Sequence, residues 1–375
     1  MNELLYNSWL EIKLDYISHN INQMRTIIDS NCDIMCIVKS NAYGHGAIEV
    51  SRHLIDNCNI PYLGVANIFE ALELRNAEIQ TPILVLGTIT EPQLEAAIKN
   101  NITITLFDIG TARKVVELSI KHNIIPKVHI KIDTGLRRIG LRPGEELEYF
   151  LEQIKDMKEL NIEGVFTHLA DSGNIDKSFT KEQLISFNKG LKQLSERNIN
   201  PRYIHCAASQ AILEVPDSHF NLVRAGKVTY GYHGMDHECQ NVDLKPVLSW
   251  KAVIQNIKKL YAGESIGYSR TFMAEKDMLI AVIGVGFSDG FSSLLSNKGS
   301  VIIGGKIVPI VGRVCMDSCF ADISDLENIK VGDVVTLLGE ENGIKIDKSD
   351  FTKITGFQIS EVIANIGRRV GRFYI

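Results

Sequence analysis

Between residue 34 and about residue 230, short apolar runs alternate with amphipathic segments, and this alternation limits the fold more than any other feature. The runs are IMCIVKS, YLGVA, PILVLG, ITITLFD, KVHIKID, GVFTHL, YIHCA and LVRAGKVTYG, eight in all, with helix-like segments such as IFEALELRNA, TARKVVELSIKHN and EQLISFNKGLKQLSER between them. Short apolar runs separated by helical patterns read as parallel strands with crossover helices. Eight such strand–helix units close into a (β/α)8 TIM barrel. A chain of 375 residues exceeds what one core usually supports, so the barrel needs a companion domain.

Ahead of the barrel, SWLEIKLDYISHNINQMRTIID gives a strand and then a helix, whose Ile17, Ile21, Met24 and Ile28 fall on one face. They are expected to extend the barrel at its start. After about residue 240, VLSWKAVIQNIKKL, DMLIAVIGVGF, SVIIGGKIVPIVG and CFADIS are β-branched, glycine-punctuated runs without long helices between them. The expected organisation is a barrel over 1–240 and a mostly-β domain over 241–375. The glycines of GVGFSDG do not open a helix, which argues against a dinucleotide site and for a bulge or sharp turn.

A net charge of −5 leaves no basic surplus for nucleic acid or an anionic membrane, so a small-molecule partner is expected. Seven cysteines without a C-x-x-C pair fit a reducing compartment, and the pairs Cys32/Cys36 and Cys315/Cys319 have no histidine partners at zinc-site spacing, so no metal is expected. The first residues lack the charge pattern of a signal peptide. A cytoplasmic setting is expected, whether the chain acts alone or as the soluble part of a longer membrane-anchored protein.

In this barrel class chemistry gathers where strands end. The first run ends in Lys39 and the fifth in Lys131 and Asp133, followed by TGLRRIG; the sixth ends in His168, the seventh runs into HCAAS, and the eighth carries Arg224. Each has a plain structural reading: a lysine snorkelling to solvent, a satisfied core histidine, an aspartate capping the turn before Gly135. Arg224 is harder to dismiss, since a buried guanidinium keeps its proton and needs an acceptor, either a carboxylate or a ligand atom. Ser209 opens a short helix, and Gly226 and Tyr43–Gly44 add backbone to a candidate phosphate seat. A phosphate-bearing cofactor whose aldehyde reaches a strand-end lysine is pyridoxal 5′-phosphate.

With these residues assembled, the chain resembles the alanine racemase family along nearly its whole length. The resemblance rests on VKSNAYGHG, KIDTGLRRIG, THLADS, LVRAGKVTYG and VGRVCMDS. It implies that Lys39 binds the cofactor covalently and serves as one of two bases. Tyr268 in IGYSRTF is then the other, entering the active site of the neighbouring subunit in a homodimer. It further implies that Arg224 meets the pyridine nitrogen, with His168 close by, and that Tyr43, Ser209, Gly226 and Lys227 contact the phosphate. Arg138 and the Met316 amide would contact the substrate carboxylate, and Lys131 matches a position carbamylated in some members.

Two departures bear on substrate. Ser360 stands where the family usually carries a tyrosine before the Glu-Val pair, and Phe287 replaces a tyrosine at the entrance. Lost bulk makes room for a side chain larger than methyl, so serine joins alanine as an expected substrate, as in serine/alanine racemases of the vancomycin-resistance type. D-amino acids for peptidoglycan precursors would be the product. The rival readings are a pyridoxal-phosphate decarboxylase of basic amino acids on the same scaffold and a noncatalytic pyridoxal-phosphate-binding protein.

Overall fold

The computed structural model describes residues 5–233 and 242–375, so the expected boundary at 240/241 lies outside the described residues. The chain forms two compact units. One comprises Tyr16–Ala42 and Ala47–Lys245; the other holds the residues up to Asp15, Tyr43–Gly46 and Pro246–Ile375.

Strand β1 (Ser8–Ile12) opens the chain. It is followed by β2 (Asp33–Ile37), β3 (Tyr62–Val65), β4 (Ile83–Val85), β5 (Thr103–Leu106), β6 (Lys127–Lys131), β7 (Asn161–Phe166), β8 (Tyr203–His205) and β9 (Leu222–Ala225). Strands β2 to β9 form one parallel sheet of eight, in the order β8-β7-β6-β5-β4-β3-β2-β9. The circle closes beside the eighth strand. The Arg224 amide donates to the Ala207 carbonyl at 3.0 Å, and Ala208 bridges Arg224 in parallel. Helices Ile68–Asn76, Ile109–His122 and Ser178–Glu196 occupy the segments expected to be helical. The first two are capped by Asn67 and Asp108, whose side chains accept from the Glu70 and Thr111 amides. Met35, Leu63, Leu84, Ile104 and Ile130, on β2 to β6, are fully buried, as strands covered on both faces require.

The N-terminal strand behaves differently from the expectation that it would extend the barrel. β1 pairs antiparallel with β10 (Leu248–Leu260) and parallel with the last strand, Gly371–Tyr374. Ser8, Trp9, Leu10 and Ile12 are all buried there, and the Ser8 hydroxyl donates to the Lys251 carbonyl while accepting from the Trp250 indole. Hydrophobic patterning says that a strand is covered on both faces, not which sheet supplies its partners. β10 is the hub of this unit and also pairs with Met278–Ile283 and Val334–Glu341. The glycines of GVGFSDG mark tight turns, as expected: Gly290 has φ 98°, and a Cβ on Gly286 would lie 2.3 Å from the Met316 carbonyl oxygen.

The helix following β1, Leu14–Arg25, buries Ile17, Ile21 and Met24 as expected but ends before Ile28. It also buries Asn20, whose amide donates to the carbonyls of Thr229 and Lys245 and accepts from the Lys245 amide. Asn20 thereby ties the end of the barrel unit to its beginning. Replacing it with Ala strands one buried and two half-buried backbone groups, and Asn20→Ala should lower unfolding free energy by about 2 kcal/mol in denaturant titration.

Candidate active site

Lys39 stands where β2 ends and the backbone reverses its hand. Ser40, Asn41, Ala42 and Tyr43 have φ of 52°, 54°, 53° and 53°, followed by Gly44 at 85°. Left-handed backbone costs a non-glycine residue about 1–2 kcal/mol, so the turn must be held from outside. The Glu70 carboxylate accepts from the amides of Ser40 and Ala66, both at 2.7 Å, and the Asn41 side chain accepts from the Ala47 amide at 2.8 Å. Burial and then Arg138 push the Lys39 amine below the ordinary lysine range, against the opposing pull of Glu70. A lysine merely reaching for solvent would not be depressed in this way.

Arg224, on β9, is 3% exposed and is met by neutral groups. Its Nη1 donates to His205 Nδ1 at 3.0 Å and to the His205 carbonyl at 3.1 Å. Its Nη2 donates to the carbonyls of Thr167 and Cys206, both at 2.8 Å, and to His168 Nδ1 at 3.1 Å. All five bonds use the two terminal nitrogens. Burial lowers the guanidinium's pKa to about 10, still far above neutrality. Burial, then Arg224, then Lys131 drive His168 well below the ordinary imidazole range, so it stands neutral. Lys131 is buried too, and burial, reinforced by Arg224, pushes its amine down to about 7; it donates to the Ile132 carbonyl at 3.0 Å and lies over the Phe166 ring.

Asp133 is the turn cap that its sequence position suggested: its carboxylate accepts from the amides of Gly135 and Arg137. Burial would raise that carboxyl, but the two amides and Arg137 outweigh it and hold it low. Arg138 is exposed nearby. Ser209 opens helix Ser209–Glu214, and its hydroxyl accepts from the Gly226 amide at 3.1 Å and the Val228 amide at 3.5 Å. Lys227 begins the 3-10 turn that follows Gly226. The barrel unit therefore assembles amines, a buried guanidinium, a neutral imidazole and a hydroxyl–amide seat.

In the other unit, Phe287 and Met316 occur together. The Phe287 amide donates to the Cys315 carbonyl and the Ser288 amide to the Met316 carbonyl, both at 3.0 Å. Arg369, which sequence reading overlooked, clamps this pair of loops. Its Nε donates to Asp289 at 2.6 Å, and its Nη2 bridges Asp289 at 3.1 Å and Asp317 at 2.6 Å. Nothing in the spacing of these residues marks the bond; a carboxylate inside GVGFSDG was its one visible sign. Tyr268 is 70% exposed and lies among left-handed residues, with Gly267, Ser269 and Arg270 at φ 78°, 59° and 51°. Ser360 is the second residue of helix Ile359–Ala364, half-buried. The carbonyl of Ile363 on that helix lies where a Cβ on Gly44 would sit, at 2.1 Å, and Arg372 Nε donates to the Gly44 carbonyl at 2.8 Å. Tyr43 and its neighbours thus pack with the Ser360 helix.

The chain matches the family described as alanine racemase, N-terminal domain, over residues 12–234, and that described as alanine racemase, C-terminal domain, over 247–374. It is 39% identical to alanine racemase 1 of Clostridium acetobutylicum, covering 98% of this chain and 95% of the relative. It is 37% identical to the alanine racemase of Methanococcus maripaludis, covering 98% of each. Among solved structures, alanine racemase of Clostridium difficile 630 superposes with a TM-score of 0.95 at 33% identity, over 100% of this chain and 97% of the other. That of Bacillus anthracis with bound L-Ala-P gives 0.93 at 32%, over 99% and 95%. Matched in both domains and along nearly all its length, this chain belongs to the alanine racemase family.

Proposed function

We propose that the protein is a pyridoxal-phosphate-dependent racemase that interconverts L- and D-alanine, and serine by the same route, supplying D-amino acids for peptidoglycan precursors. The observation that carries the reading is Arg224, a buried cation beside the Lys39 strand end whose contacts are carbonyls and imidazoles. A decarboxylase of basic amino acids would pair the ring nitrogen with a carboxylate. A noncatalytic binder has no use for the second unit with Tyr268.

The residues present fit the cofactor. The Lys39 amine, depressed by burial, suits covalent attachment; Arg224 offers a donor that never yields its proton to the ring; the hydroxyl of Ser209 and the backbone of Gly226–Val228 suit a phosphate. Bound there, pyridoxal phosphate supplies an electron-withdrawing ring that acidifies the substrate's Cα–H. Inversion requires a proton removed from one face of Cα and another delivered to the opposite face, so two bases are needed. Lys39 serves one face, and Tyr268, exposed on its own chain, serves the other in the partner of a homodimer with composite sites. Arg138 and the Met316 amide orient the carboxylate, while the neutral His168 keeps Arg224 in place. The described residues contain no helix long and apolar enough to cross a membrane.

Lys39→Ala should remove both the cofactor's visible absorbance and racemisation. Tyr268→Phe should retain the absorbance yet lose at least about a hundredfold in kcat, the scale of a positioned acid–base group. Retained turnover in either variant removes the two-base assignment. Ser360 leaves room beside Cα for a hydroxymethyl group; Ser360→Tyr should lower the serine-to-alanine ratio of kcat/KM by about tenfold, within the range of a pocket that gains or loses a small group.

Lys131, with its amine near 7, is neutral enough at physiological pH to add carbon dioxide. The nitrogen–carbon bond forms as the amine proton leaves to water, and the resulting anion can pair with Arg138. In 13C-bicarbonate a carbamate NMR signal should grow from pH 6 to pH 8, as the neutral amine does, and vanish in Lys131→Ala.

A further inference from the structure

A chain of buried polar groups runs along the barrel interior from Arg224 to the opposite strand ends. His205 Nδ1 accepts from Arg224, and His205 Nε2 lies 2.9 Å from His129 Nδ1. His129 Nε2 lies 3.4 Å from Glu163 Oε2. Glu163 Oε2 accepts from the Tyr62 hydroxyl at 2.9 Å, Tyr62 meets Thr103 Oγ1 at 2.6 Å, and Glu163 Oε1 pairs with Lys127 Nζ at 2.6 Å. His205 and His129 are completely buried, and Glu163 nearly so.

The direction of every proton in this chain is forced. Guanidinium can only donate, so His205 Nδ1 is bare and its proton sits on Nε2. That proton points at His129 Nδ1, which must be bare, so the second imidazole carries its proton on Nε2 and donates it to the Glu163 carboxylate. Reversing any one link would set two donors face to face. The fold makes special provision for the middle member: the β6–β7 register shifts between Val128 and His129, and a Cβ on Gly164 would lie 2.5 Å from His129 Cε1 and Nδ1. Only glycine lets the ring lie against β7.

We infer that Glu163 is a positioning residue for Arg224, acting through His129 and His205 and holding the guanidinium in the orientation that the coenzyme ring meets. This rests on the racemase reading above. Glu163 touches neither coenzyme nor substrate; it supplies an anion towards which the two neutral imidazoles are polarised.

Three variants and one direct observation test it in the cofactor-loaded protein, with wild-type racemisation and visible absorbance as the control on the racemase reading itself. Glu163→Gln removes the anion at constant shape, and Gly164→Ala displaces the His129 ring without changing charge. Each should lower alanine kcat about tenfold, the lower range for losing a partner that orients a ligating group, with KM changed less than twofold and the coenzyme absorbance maximum shifted. Lys127→Met removes only the half-exposed partner of Glu163 and should lower thermal stability while leaving kcat and absorbance as in wild type. In 15N-histidine-labelled wild type, both imidazoles should appear as the neutral Nε2–H form. A wild-type kcat and spectrum in folded Glu163→Gln, or an Nδ1–H signal from His205 or His129, overturns the proposal. Should the variants fail to fold, the labelled wild type alone decides the direction of the chain.

Discussion

A buried guanidinium that meets no carboxylate among the described residues is the constraint around which the barrel unit is arranged. Removing such a charge from water is expensive, and a proton held as tightly as that of Arg224 cannot be shed to avoid the cost. Three carbonyls and two imidazoles surround it instead, and both imidazoles must present bare nitrogens. The same residue closes the barrel through its own backbone amide. Side-chain placement and sheet closure are therefore fixed by one position, and β8 and the start of the loop after β7 cannot shift without breaking Arg224's bonds. Burial first, and then the cation, depress His168 and Lys131.

Much of this was legible in the sequence, because the signals are local. Apolar runs bounded by turn-forming residues located all eight barrel strands, and polar residues leaving those runs located Lys39, Lys131, His168 and Arg224. What stayed hidden is non-local. Nothing in SWLEI says that it pairs with residues some 240 positions later rather than with the barrel that follows it. The Arg369–Asp289 pair spans 80 residues, and the left-handed run Ser40–Tyr43 contains no glycine to betray it, only Gly44 and Gly46 after it. His129 did leave a trace, as a polar residue inside KVHIKID, and Glu163 stands just ahead of GVFTHL, but a trace of that kind cannot tell a polar chain from a satisfied core histidine until the register of β6 against β7 is known.

The division of the chain into units carries a last consequence for how chemistry and selectivity can vary. The barrel unit contains Lys39, Lys131, His168, Ser209 and Arg224, the groups that would hold and polarise a coenzyme. The other unit contains Tyr268, Phe287, Met316 and Ser360, which by the reading above face the substrate. Tyr43–Gly46 belongs with this second set although it begins four residues after Lys39, because Gly44 abuts the carbonyl of Ile363 and accepts from Arg372. Any side chain at position 44 would collide with helix backbone, so the Ser360 helix meets Tyr43–Gly46 at a point where only glycine fits. By the proposed reading, selectivity is then free to change by altering what the helix carries at position 360, while its backbone is held against Gly44. The chemistry of the strand ends need not change for the substrate to do so.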